Sequence, residues 1–218
     1  MIEIRTLTYS GVNCYLLHSG DYFALVDTGY ARHRAEIVAE LDAAGVQPGK
    51  LKLVVVTHGD PDACGSAGFL HEKYRAHVAL HADERAAVEQ GDMLANRKRH
   101  TLVAGLVTPL FNLRPVDRFK PDILVRDGDR LTSFKLDAEI VHLPGHSTGS
   151  IGVLTAGGDL FCGDLLTNTH RPAFNSLIDD REAAAASLEK LRALPIRLVY
   201  PGRGAPFELD EVLVGENV

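Results

Sequence analysis

The segment Thr57-His58-Gly59-Asp60-Pro61-Asp62-Ala63-Cys64-Gly65 sets an imidazole and two carboxylates at alternate positions. Histidine nitrogen and carboxylate oxygen are the usual donors to divalent transition metals. In a loop, where backbone direction changes quickly, such alternate side chains can converge on a small volume. The same residues admit a plainer role, with Asp62 capping a helix, Asp60-Pro61 making a turn and His58 packed inside. Two further segments add donors: Leu143-Pro144-Gly145-His146-Ser147-Thr148-Gly149-Ser150 holds His146 in a glycine-flanked loop, and Phe161-Cys162-Gly163-Asp164 ends in an aspartate.

Elements that could bring these donors together are readable on either side of them. Residues 51–57, LKLVVVT, are an almost continuous apolar run, as expected of a strand buried on both faces. His58 follows directly, at a strand's carboxyl end, where open α/β sheets bind ligands. His146 follows a predicted strand over 138–143 and Asp164 one over 159–162. Further strands are predicted over 2–8, 12–17, 22–27, 77–81, 123–125, 130–133, 151–155 and 196–200, from short apolar runs bounded by turn residues. Helical spacing covers 32–44, 69–74, 83–90 with Asp83 as its cap, and 180–193. Each half runs strands, helix, strand, and no low-complexity linker intervenes. Residues 1–218 therefore read as one layered domain with sheets inside and helices outside. Residues 91–121, carrying Arg97-Lys98-Arg99-His100 before an apolar run, read as a helical insertion and a candidate lid. The basic cluster suits either an anionic or acyl substrate or a solvated helix end; Arg171 is a second candidate for substrate contact.

Composition narrows the classes of function. A chain of 218 residues can bury about 70–75% of its unfolded surface in one core, so a metal is not needed merely to fold it. Lys+Arg 23 against Asp+Glu 29 gives −6, which disfavours nucleic acid or an anionic membrane as the main partner. Cys14, Cys64 and Cys162 are odd in number and form no CxxC pair, so free thiols in a reducing compartment are expected. The first residues lack the apolar run of a signal peptide, and cytoplasmic placement is the expectation. Cys64 reads as a small buried residue rather than a reactive thiol. His77 and His81 read as structural, and His142 and His170 as neighbours of the ligand loops. Oligomeric state has no readable signal.

Taken in order, Val26-Asp27-Thr28-Gly29, the His58 loop, the His146 loop, the Gly163-Asp164 pair and Pro201-Gly202-Arg203-Gly204 resemble the metallo-β-lactamase superfamily nearly end to end. More narrowly, the chain resembles a subgroup whose loop reads THGDxDH and whose later segment is similar to residues 171–180. The resemblance implies an α/β fold, an αββα four-layer sandwich of two mixed β-sheets flanked by helices. It also implies a first metal position at His58, Asp60 (a histidine in the family), His146 and Asp164. The second position maps to Asp62, Ala63, the shared Asp164 and Arg203, with Ala63 and Arg203 standing where the family has histidines. Neither can coordinate a cation, so the second position is expected to be empty and the site mononuclear. Asp60, Asp62 and Asp164 carry −3, which one divalent ion and an inward Arg203 would balance. In the other reading Arg203 points to solvent.

The function expected on this resemblance is a mononuclear metal-dependent hydrolase of a small ester, thioester or lactone. A metal-bound water would attack, with Asp62 as base and Arg203 steadying negative charge. One divalent transition metal, zinc, iron or manganese, is the expected cofactor. Losing the second cation removes a Lewis acid, so a modest rate is expected. Two other classes stay open: an iron-dependent sulfur oxygenase resembling persulfide dioxygenases, and a non-catalytic ligand-binding descendant.

Overall fold

The computed structural model describes residues 2–95, 97 and 112–212. Two sheets lie face to face. The first has six strands in the order β1-β2-β3-β4-β5-β6: β1 (Glu3–Tyr9), β2 (Val12–Ser19), β3 (Tyr22–Val26), β4 (Leu51–Val55), β5 (His77–His81) and β6 (Ile123–Val125). Its first three strands pair antiparallel and β3 to β6 pair parallel. The second sheet contains β7 (Ala138–His142), β8 (Ile151–Thr155), β9 (Asp159–Gly163) and β12 (Leu198–Pro201), in the order β12-β9-β8-β7. Here β12 is parallel to β9 and the other pairs are antiparallel. The short strands β10 (Leu166–Thr167) and β11 (Ala173–Phe174) pair with each other.

Side-chain alternation along the strands builds three apolar layers. Leu53 and Val55 of β4 join Tyr15, Leu17, Ala24 and Val26 against Ile140, Ile151, Val153 and Phe161 of the other sheet. Val54 and the following Val56 lie on the other face, with Leu16 and Leu25. That outer face is covered by α1 (Arg34–Ala43) through Ile37 and Leu41, and by α3 (Ala67–Tyr74) through Leu70 and Tyr74. Outside the second sheet, α5 (Arg181–Arg192) lays Ala184, Leu188 and Leu191 on Val141, Leu154, Leu160 and Val199. These positions follow the i, i+4, i+7 rhythm of a helix's inner face. The Asp180 side chain caps α5 by accepting from Ala183 N at 3.0 Å. The result is the αββα sandwich. Among the described residues no helix is long and apolar enough to cross a membrane.

Several local expectations give way to tertiary contacts. No strand forms over 130–133: Arg130 makes one isolated bridge to Glu139, and Thr132–Phe134 is a 3-10 turn ending at left-handed Lys135, φ 64°. The helix expected from 32 opens with a 3-10 turn, Ala31–His33, before α1. Asp83 is not a cap; the His81 ring accepts from Asp83 N, and Ala82–Glu84 is a 3-10 turn ahead of α4 (Arg85–Gln90). The last strand starts two residues late, because Arg197 N and Leu198 N both bond Gly158 O. Of the insertion expected across 91–121, residues 96 and 98–111 lie outside the described residues; within the rest, Pro115–Asp117 forms a 3-10 turn.

Candidate metal centre

Parallel pairing puts the carboxyl ends of β3, β4 and β5 on one edge of the first sheet, and those of β9 and β12 on one edge of the second. β7 runs the same way as β9, since both are antiparallel to β8. The loops bearing Asp27, His58, Glu84, His146, Asp164 and Arg203 leave these ends. The two edges are joined where Ile151 N donates to Thr57 O at 2.9 Å. His58, Asp60, Asp62, His146 and Asp164 are all buried.

The donors form two groups that share His58. Ligand atoms of His58, His146 and Asp164 lie within 4.8 Å of one another, and so do those of His58, Asp60 and Asp62. Pro61 opens α2 (Pro61–Cys64), with Asp60 at its cap position. The Asp60 side chain makes no capping bond and turns into the site instead. Asp62 lies inside α2, so it does not cap the helix either.

Hydrogen bonds behind the imidazoles fix which nitrogen faces inward. Asp27 accepts from Thr57 N at 2.8 Å and from Thr57 Oγ1 at 2.7 Å. When Asp27 is ionised, the one proton of Thr57 Oγ1 goes to Asp27. At 2.9 Å from His58 Nδ1, the hydroxyl must therefore accept, which leaves the His58 Nε2 lone pair pointing into the site. His58 Nε2 is buried with no hydrogen-bond partner among the described residues. On the other side, His146 Nδ1 is 3.2 Å from Leu177 O, which can only accept, so its Nε2 is also the inward donor. Outer contacts of this kind orient metal-binding histidines. Two inward imidazole nitrogens with a nearby Asp164 carboxylate fit one divalent cation. The field agrees: burial works against a charged His58 ring, yet the surrounding Asp60, Asp164, Asp27 and Asp62 raise its pKa.

Asp62 and Asp164 are bridged by an arginine side chain. Arg203 donates from Nη2 to Asp62 Oδ2, and from Nε to Asp164 Oδ2 at 3.3 Å, so it faces inward rather than to solvent. Burial pushes the Asp62 carboxyl up and Asp164 and Asp60 add to that, while His58 and Arg203 pull it down; the net is upward. Close backbone approach sets Asp164 there: a Cβ on Gly202 would fall 2.3 Å from Asp164 Oδ1.

Three contributors were not assigned these roles from the sequence. Glu84, fully buried, accepts from Gly59 N at 2.6 Å, Gly149 N at 2.9 Å and Ser147 Oγ at 2.7 Å. It thereby ties the His58 loop to the His146 loop. The signal available was its place just past β5, whose carboxyl end shares the His58 edge. Asp27 reads only as part of a motif, although its backbone is left-handed, φ 58°. The Arg97 side chain turns inward rather than to solvent. It is 9% exposed, donates from Nη2 to Asp60 Oδ2 at 2.6 Å and lies 3.1 Å from His146 Nε2. Burial alone would raise the Asp60 carboxyl, but His146 and Arg97 outweigh it and hold Asp60 well below the usual carboxylate range.

The remaining singled-out residues fall outside the donor cluster. Cys14, Cys64 and Cys162 are buried free thiols, and burial holds the Cys64 pKa well above its ordinary value. His142 stacks on His81 at 4.4 Å and lies 3.0 Å from Thr148 O through Nε2. His81 also has a carboxylate nearby, Asp83 Oδ2 at 3.7 Å. His77, His170 and Arg171 are exposed.

An αββα sandwich with imidazoles and carboxylates gathered at its strand ends defines a metal-binding α/β class. Residues 7–203 match the family model of the Metallo-beta-lactamase superfamily, and the chain belongs to that superfamily. It is 28% identical over 170 residues to the hydroxyacylglutathione hydrolase GloC of Haemophilus influenzae, covering 76% of this chain and 71% of that protein. It is 22% identical over 208 residues to the beta-lactamase-like protein 2 homolog of Drosophila melanogaster. That match covers 93% of this chain but 61% of the fly protein, so the chain spans less than two thirds of that relative. Among solved structures, the di-iron-bound form of TTHA1623 superposes with a TM-score of 0.72 at 25% identity, covering 95% of each chain.

Proposed function

We propose that this chain, read as one domain over 1–218, is a mononuclear metal-dependent hydrolase of a small ester, thioester or lactone. The observation that carries the reading is the convergence of His58, His146 and Asp164 within 4.8 Å, with both rings turned to present Nε2. The likeness to a hydroxyacylglutathione hydrolase supports a thioester among the candidate substrates. His58, His146 and Asp164 would hold the cation, which would supply Lewis acidity toward a carbonyl and lower the pKa of a bound water. The chain's own residues do the rest. Asp62, raised by burial, takes a proton from the attacking water. Arg203 steadies Asp62 and Asp164 and offers positive charge to a developing oxyanion. Arg203 engages both carboxylates of the second position, and Ala63 offers no donor, which supports a single-ion site. The THGDxDH subgroup is part of the same proposal.

Two imidazoles and one carboxylate also form the facial set of non-haem iron oxygenases, which favours iron-dependent sulfur oxidation as the second reading. Elemental analysis with substrate assays separates the cases. We expect one ion per chain and hydrolysis that is lost on chelation and restored by metal. His146→Ala should lower kcat/KM by about 100-fold or more, as expected of a ligand to the only Lewis acid. Two tightly held ions per chain would overturn the mononuclear reading. Iron with oxygen uptake would move the assignment to the oxygenase, and no bound ion to a non-catalytic descendant.

A further inference from the structure

We infer that Arg97 is a resident cation at the first position, competing with a metal ion for the same donor atoms. The inference rests on the metal-centre reading above and concerns how that site is filled. The Arg97 Nη2 amino group carries two hydrogens and faces two acceptors, Asp60 Oδ2 at 2.6 Å and His146 Nε2 at 3.1 Å, which are themselves 3.1 Å apart. Arg97 Nη2 thus sits where the Nε2 lone pair of His146 points when that ring binds a cation, beside the Nε2–Asp60 Oδ2 hydrogen bond. A metal needs that same lone pair at about 2.0–2.1 Å. One lone pair cannot accept a guanidinium hydrogen and hold a cation at once. A divalent ion at that distance would also sit next to a buried positive charge with little solvent to screen it.

Metal binding therefore expels Arg97 from His146. Before metal arrives, the arginine offsets Asp60, whose burial as an unpaired carboxylate would be costly. Arg203 does the same for Asp62 and Asp164 and also meets Tyr30, but among the described residues it makes no hydrogen bond to an imidazole. The two arginines therefore differ: Arg203 can stay when the first position fills, whereas Arg97 must move. Affinity for the ion is set partly by the strength of the Arg97 contacts.

The test is a Zn²⁺ titration in competition with a chromophoric chelator, on wild type, Arg97→Met and Arg85→Met. Arg85 is an exposed arginine paired with Glu89, so its removal takes away one charge without touching the donors. Arg97→Met should bind Zn²⁺ roughly 10- to 100-fold tighter, the worth of charge-assisted hydrogen bonds that no longer need breaking. Arg85→Met should stay within about twofold, as expected of a screened surface charge. Equal or weaker binding by Arg97→Met, with wild type binding, overturns the competition while leaving the metal centre standing. Absence of binding in every protein overturns both. If Arg97→Met does not fold, wild type labelled with ¹⁵N-arginine decides: the Arg97 side-chain resonance, assigned with Arg97→Lys, should move on Zn²⁺ saturation, and an unmoved resonance overturns the proposal.

Discussion

Glu84 holds two ligand loops with one carboxylate, Oε2 on Gly59 N and Oε1 on Ser147 Oγ and Gly149 N. Gly59 N, Ser147 Oγ and Gly149 N all donate to it, so Glu84→Gln keeps the volume but turns an NH₂ group toward an N–H. We expect a loss of about 2–3 kcal/mol in urea denaturation of metal-free protein, the cost of a buried donor left unsatisfied. We also expect roughly tenfold weaker metal binding, since outer contacts hold the ligands. A variant that unfolds like wild type would remove Glu84 from this role. The contrast with His58 shows what the sequence made legible. His58, Asp60 and Asp62 announce themselves by alternate spacing, and His146 and Asp164 by glycine-flanked loops. Glu84 and Arg97 have no such signature, because a charged residue in a polar stretch is normally solvated. Only the three-dimensional meeting of strand ends makes them interior.

Strand ends do the positioning, and the strands were the clearest part of the sequence. The ranges 77–81, 123–125 and 151–155 agree residue for residue with β5, β6 and β8. Apolar runs bounded by turn residues specify such strands locally. The stretch 130–133 failed because a single buried residue there, Leu131, does not outweigh the left-handed turn at Lys135. β10 and β11 were missed because two-residue strands carry no periodicity. At the end of β12, Gly202 lets the backbone pass beside Asp164, with a would-be Cβ 2.3 Å from Oδ1. Gly202→Ala must therefore displace either the carboxylate or the β12 loop. Its expected cost is about 1–3 kcal/mol of overpacking, together with weaker metal binding and a disturbed Arg203–Asp164 contact. A crystal structure of the variant with Asp164 unmoved and unchanged metal affinity would refute this account of the glycine.

Across the whole molecule, the buried carboxylates of the site contribute to the pH dependence of folding. Asp27 is the clearest case: burial raises its pKa from 3.8 to about 7, against the lowering effects of His58 and of the Thr57 hydrogen bonds. The sign follows from proton counting. Between roughly pH 4 and pH 7 the folded chain keeps the Asp27 proton while the unfolded chain releases it, so stability falls as pH rises through that window and levels off above it. Going from pH 5 to pH 8, Asp27 should remove about 2–3 kcal/mol from the stability of metal-free protein. Asp27→Asn has no proton to lose, so its stability should fall less over the same interval by that amount. The comparison is urea denaturation of both proteins at the two pH values with a chelator present, and parallel pH slopes would show that Asp27 is ionised in the fold throughout. A bound divalent cation opposes the trend, since it favours the ionised carboxylates and stabilises the folded state by mass action. The same buried charge that weakens the metal-free fold at high pH is what makes the site attract a cation.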